Sequence, residues 1–155
     1  MEHGFVYALN SDGVILEGFP FETGDQIWGA PAVADLDLDG QFEMIIASKN
    51  GTLNIISLLG EIELNLDLNQ FLMGTPAIGN FDMDDELEIA IAGYSNSSNL
   101  YVINHNGTFV DGFPLSVLLL ITRSSFSPQE YNAQHVHLMP PSYALLRTYL
   151  EILFL

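Results

Sequence analysis

Through the first 115 residues, apolar positions come in short runs set between polar turns. The runs Glu43 to Ala47, Leu53 to Ser57, Glu88 to Ala92 and Leu100 to Asn104 are rich in Ile, Val and Tyr, and several alternate apolar with small or polar residues. That is the pattern of a β-strand with one face turned inward. No segment holds a helical period over about ten residues, the length a stable helix needs. Asn50-Gly51, Asn106-Gly107 and Asp12-Gly13 separate runs, and each predicts a tight hairpin of type I′, in which both central residues have positive φ. The expected fold class is all-β.

The runs recur. GAPAVADLDLDGQFEMIIA, from Gly29, returns as GTPAIGNFDMDDELEIAIA, from Gly74, 45 residues on. YALNSDGVILEGFP, ending at Pro20, returns as YVINHNGTFVDGFP, ending at Pro114. One repeat parses as a strand over Thr75 to Asn80, an acidic turn from Asp82 to Glu86, and strands over Leu87 to Gly93, Leu100 to Asn104 and Thr108 to Pro114. Four antiparallel strands in about 45 residues is the size of a β-propeller blade. The sequence therefore predicts a partial β-propeller of about two and a half four-stranded blades: a partial blade at 1–23, a blade at 24–68 and a blade at 69–115. The chain opens inside a repeat, so the start of the array is expected to be missing, and open sheet edges are expected.

Residues 116–155 do not continue the pattern, and are expected to be an atypical tail, helical or disordered. Tyr143 to Leu155 could form an apolar helix started by Pro140-Pro141. The tail also reads as the product of a frame slip or truncated gene, which translation of the other two frames would reveal.

Charge sharpens the boundary. The 155 residues carry 20 acids against 3 bases, a net charge of -17. Residues 1–115 hold 18 of the acids with Lys49 as sole base; the tail holds Glu130, Glu151, Arg123 and Arg147 and sums to zero. Such a balance excludes nucleic acid and anionic membrane surfaces as partners, because both need Lys and Arg, and it favours cations. There are no cysteines, no apolar run approaches the roughly 18 residues that span a bilayer, and the N-terminus lacks the pattern of a signal peptide.

The acid is concentrated in the two repeated turns. Asp35, Asp37, Asp39 and Glu43 stand at relative positions 1, 3, 5 and 9, with Gly40 at position 6 to allow a sharp turn and Gln41 at position 7 to offer its carbonyl. Ca²⁺ takes six to eight oxygens, and a tight loop supplies them from alternate side chains. An EF-hand is excluded, since position 12 is Ile46 inside a strand. The second turn offers Asn80, Asp82, Asp84, Glu86 and Glu88 at the same spacing, with Asp85 where glycine stood. Asp tolerates the left-handed region, and this second site is expected to bind more weakly. Against a plain solvated turn stands the mutual repulsion of several carboxylates in a few residues. Trp28, which corresponds to Met73 in the next copy, is expected to pack between blades. No nucleophile–base pair, HExxH or Gly-x-Ser-x-Gly motif is present, so no catalytic residue is expected.

PAVADLDLDGQFE followed by IIASKNGTLNI, and PAIGNFDMDDELE followed by IAIAG and LYVINHNGTFVDGFP, resemble the FG-GAP/VCBS repeats of integrin-α-like calcium-binding propellers. The resemblance covers residues 4–115. It implies Asp35, Asp37, Asp39 and Glu43, and Asn80, Asp82, Asp84 and Glu88, as Ca²⁺ ligands. It departs at Asp85 and at Ser57-Leu58-Leu59-Gly60, which replaces an Asn-x-x-Gly turn. It implies a non-catalytic extracellular or cell-surface module for adhesion or protein/carbohydrate recognition, with a protein or carbohydrate ligand or further blades of the parent chain as partners. The lack of a long apolar run adds the expectation of no membrane insertion. The alternative is an accessory segment of a secreted hydrolase, peptidase or lyase with its catalytic domain elsewhere.

Overall fold

The structure is a computed structural model and describes residues 4–95 and 98–117, which lie in the first of two compact units, Met1–Leu118. The tail and the helix expected at Tyr143 to Leu155 lie outside the described residues. Among the described residues every regular element is a strand, and none is a helix long and apolar enough to cross a membrane.

Eleven strands form antiparallel sheets of two, four and five strands. The first sheet pairs β1 (Phe5–Val6) with β2 (Phe21–Glu22). The second runs in chain order through β3 (Ala32–Ala34), β4 (Glu43–Ala47), β5 (Thr52–Ser57) and β6 (Ile62–Asp67). In the third, β8 (Ala77–Gly79), β9 (Glu88–Tyr94), β10 (Ser98–Ile103) and β11 (Leu115–Val117) repeat that order, while β7 (Phe71–Leu72) pairs with the far end of β9. These sheets close into no barrel among the described residues.

The middle sheet explains why Met44-Ile45-Ile46-Ala47 is a continuous apolar run rather than an alternating one. Ile45 and Ala47 join Leu53 and Ile55 and meet Ile89, Ile91, Tyr101 and Ile103 of the third sheet. Met44 and Ile46, on the opposite face, join Ile56 and meet Val6 and Phe21 of the first. A strand buried on both faces reads apolar at every position. Each of the Ile, Leu, Val, Met and Phe side chains among these contributes about 1.5–3 kcal/mol of burial. The one polar tip in the larger core is satisfied: the Tyr101 hydroxyl donates to the Leu68 carbonyl at 3.0 Å.

Three expectations are corrected. The strand expected over Thr108 to Pro114 is broken: Phe109 bridges Ile103, the chain turns, and β11 starts only after the cis Phe113–Pro114 bond. The first copy does the same, with a bridge from Leu9 to Ile15, a cis Phe19–Pro20 bond and then β2. Gly18 and Gly112, at φ 83° and 89°, make the two turns, a conformation that favours glycine. The middle copy lacks the Gly-Phe-Pro sequence and keeps an unbroken β6.

The hairpins are not type I′, because Asn50, Asn106 and Asp12 lie outside the left-handed region and only the glycine after each enters it. Each is a turn closed by an i to i+3 hydrogen bond and ending in that glycine, as when Gly51 N donates to the Ser48 carbonyl and Ser48 N to the Thr52 carbonyl, both at 3.0 Å. Side chains hold the shape. Asn10 Oδ1 accepts from the Asp12 and Val14 amides, and Ser57 Oγ accepts from the Leu59 and Glu61 amides in the same way. Serine therefore replaces asparagine in the Ser57 turn with the same chemistry.

Trp28 does not pack between sheets: it is 57% exposed, its Nε1 donates to Gln26 Oε1 at 2.9 Å, and the Lys49 ammonium stands 5.1 Å from its ring centre.

Candidate metal centre

Both acidic turns connect the first two strands of a sheet: one leads from β3 to β4, the other from β8 to β9. The first begins where Leu36 is driven inward. Its side chain is 1% exposed among Ile45, Ile89 and Ile103, which leaves its neighbours Asp35 and Asp37 to turn the other way. Leu38 at φ 60° and Gly40 at φ 90° then coil the chain back. Alternate carboxylates line the inside of this coil. Asp35 Oδ2 accepts from Gly40 N at 3.0 Å, Asp37 Oδ1 from Asp39 N at 3.2 Å, and Asp39 Oδ1 from Gln41 N at 2.7 Å. Asp35, Asp37 and Asp39 each present an oxygen within 4.8 Å of the others. Gln41 closes the turn by donating from Nε2 to Asp39 Oδ2 at 3.0 Å. Glu43, the first residue of β4, is buried and accepts from Leu36 N at 2.8 Å.

The second turn follows the same plan, with Met83 at φ 71° in the place of Leu38. Asp82 Oδ1 accepts from Asp84 N at 3.2 Å, Asp84 Oδ1 from Glu86 N at 2.9 Å, and Glu88 Oε2 from Phe81 N at 2.5 Å. Asp85 does not take the left-handed conformation expected of it. Without a glycine at position 6, Asn80 closes the turn instead: its Oδ1 accepts from Met83 N at 2.7 Å, and its Nδ2 donates to the Asp84 carbonyl. The Glu86 side chain leaves the loop and pairs with His105, Oε2 to Nδ1 at 2.9 Å.

The carboxylates that converge differ between the copies. In the second turn Asp82, Asp84 and Glu88 bring oxygens within 4.8 Å of one another; in the first, the converging set is Asp35, Asp37 and Asp39. Glu88 is 1% exposed, and its Oε1 has no hydrogen-bond partner. Asp35 Oδ1 is likewise buried and unpartnered. Carboxylate oxygens left so are costly, and each calls for an ion or water that satisfies it.

No family model and no curated protein matches this chain.

Electrostatics single out the two strand-initial glutamates. Burial pushes the Glu43 carboxyl above its ordinary value, against the Leu36 amide, and Asp37, Asp35 and Asp39 push it further. Glu88 is raised in the same way by burial, against the Phe81 amide, with Asp82 and Asp84 adding to it. Outside the turns, the exposed Glu63 is also raised, by the partial desolvation of its carboxyl and then by Glu43, Asp37 and Asp39. It sits on β6 beside a register shift at Ile55/Ile56, and because no acid stands at the corresponding place in the next copy the repeat gave no signal for it.

A pH dependence follows. A carboxyl whose folded pKa lies above its unfolded value binds protons more tightly when folded, so its contribution is fully present below the unfolded pKa and is lost as pH rises through the folded one. In EDTA, thermal stability should therefore fall as pH rises above about 4.5, the ordinary glutamate value. Melting curves from pH 4 to 8 check this; a stability in EDTA that rises steadily to pH 8 would contradict it.

Proposed function

We propose that this protein is a non-catalytic, calcium-binding module of the FG-GAP/VCBS type, in which each acidic turn holds one Ca²⁺ and the sheets are blades of a partial β-propeller. The observation that carries the reading is the buried Glu88 carboxylate: one oxygen is held by Phe81 N and the other is left unpartnered, beside the oxygens of Asp82 and Asp84. A hard divalent cation satisfies such a group, and the all-oxygen donor set suits Ca²⁺ rather than a softer metal. Asp35, Asp37, Asp39, the Gln41 carbonyl and Glu43 would serve the first ion. Asn80, Asp82, Asp84, the Glu86 carbonyl and Glu88 would serve the second. When bound, the ion supplies charge neutralisation that locks the turn between two strands.

An extracellular or cell-surface setting agrees with this reading, since millimolar Ca²⁺ is available there to loops of this kind. Further blades are the partner best supported by the packing. At matched positions of the three copies, Tyr7 and Leu9 are 54% and 56% exposed, whereas Asn54, Ile56, Tyr101 and Ile103 are buried. The first sheet thus leaves open a face that the other two cover against a neighbouring sheet.

Titration calorimetry with Ca²⁺ and then Mg²⁺ tests the metal assignment. Ca²⁺ should bind with dissociation constants of roughly 10⁻⁴–10⁻³ M or tighter, and Mg²⁺ more weakly. Absence of heat and of a thermal shift at millimolar Ca²⁺ would refute it.

A further inference from the structure

The two acidic turns touch each other. Leu36, inside the first, accepts at its carbonyl from Leu87 N at 2.9 Å, and Leu87 is the residue before Glu88. The same peptide chain position reaches back as well, since Leu36 N donates to Glu43 Oε2 at 2.8 Å. The Leu36 side chain is packed in the core with Ile89, and Leu87 lies against it. A second contact joins the copies upstream: Ala30 N donates to Thr75 Oγ1 at 2.9 Å, and Gly29 lies so close to Gly74 that a Cβ there would stand 2.4 Å from its carbonyl oxygen. One carbonyl thus connects the ligand run of the first turn to the strand end that carries Glu88, 1% exposed and with its Oε1 unpartnered.

We propose that the second turn's affinity for Ca²⁺ is coupled to the first through the Leu36–Leu87 contact, so that filling the first site tightens the second. This rests on the reading of both turns as Ca²⁺ sites. Without a cation, Asp35, Asp37 and Asp39 crowd their oxygens and repel. A bound ion draws them together and fixes the Leu36 peptide that lies between Asp35 and Asp37. The fixed carbonyl holds Leu87 N, and with it the point from which Glu88 enters the second site. Ordering achieved at the first site is not required again at the second, which is preorganisation. Linkage makes the effect reciprocal: the second ion must tighten the first by the same factor.

Ca²⁺ titrations of the full chain and of Asp37→Ala and Glu88→Gln test the proposal. Asp37 is exposed, so Asp37→Ala empties the first site without opening the core. The parent protein should bind two ions with a Hill coefficient above one. The site remaining in each variant should be weaker than in the doubly filled parent by about threefold to tenfold, the weight of one backbone hydrogen bond, and by the same factor in both. As a second readout, Ca²⁺ added to Glu88→Gln should shift the Leu87 amide resonance as the first site fills. A remaining site that keeps its parental affinity in each variant, with an unmoved Leu87 amide, would overturn the coupling and leave the Ca²⁺ reading standing. No binding by the parent would overturn both.

Discussion

Leu36→Ala should cost the fold about 2–5 kcal/mol, the usual range for truncating a buried leucine. Leu36 is almost wholly buried in the core between the second and third sheets, and the backbone around it is already committed to Glu43 and Leu87, so little collapse into the cavity is available. The loss should appear in urea as a lower midpoint with an unchanged slope. It should appear whether or not Ca²⁺ is present, because the deleted methyls touch core residues rather than ligands. Leu38→Ala is the control. Leu38 stands two residues on in the same turn but is exposed, and its truncation should change stability by under about 0.5 kcal/mol. Equal losses in the two variants would show that Leu36 is not the plug that anchors the turn.

The second large effect is thermodynamic linkage to the metal. A ligand that binds only the folded state stabilises it by about 2.7 kcal/mol at one hundred times its dissociation constant. Glu88→Gln should remove the second site's share of that gain. In EDTA at neutral pH the same variant should be no less stable than the parent, since a buried carboxylate with a raised pKa is replaced by a neutral amide of the same size. The two halves of this prediction separate ligand from structural residue. A variant that is equally destabilised in Ca²⁺ and in EDTA would mark Glu88 as structural.

The strands and both acidic turns were legible because their signals are local. Alternation of Ile89 and Ile91 with Ala90 and Ala92 set β9, and the apolar run after Glu43 set β4, though not its burial on both faces. The 45-residue self-match placed the second turn once the first was recognised. What escaped was tertiary or second-order. The break before β11 depends on how Gly112-Phe-Pro114 turns away from the hairpin. The hairpin type depends on Asn and Ser side chains that bind amides two and four residues on, so the preceding residues never enter the left-handed region. Trp28 looked like a packing residue by position, but Gln26 and Lys49 hold it at the surface. Within the turns, spacing implied two copies of one site. The structure makes them unequal, because Asp85 in place of glycine passes the closing role to Asn80, and because Glu88 rather than a first-position Asp joins the converging carboxylates. Glu63 gave no signal, since it stands on β6, outside the repeated turn, with no acid at the corresponding place in the next copy.

Equilibrium dialysis against Ca²⁺ tests the central claim most directly, since it counts ions rather than inferring them. At several millimolar free Ca²⁺, the protein should retain about two ions per chain, and Asp37→Ala and Glu88→Gln about one each, in line with one hard-cation site per acidic turn. A parent protein that retains none, or variants that retain as many as the parent, would contradict the account.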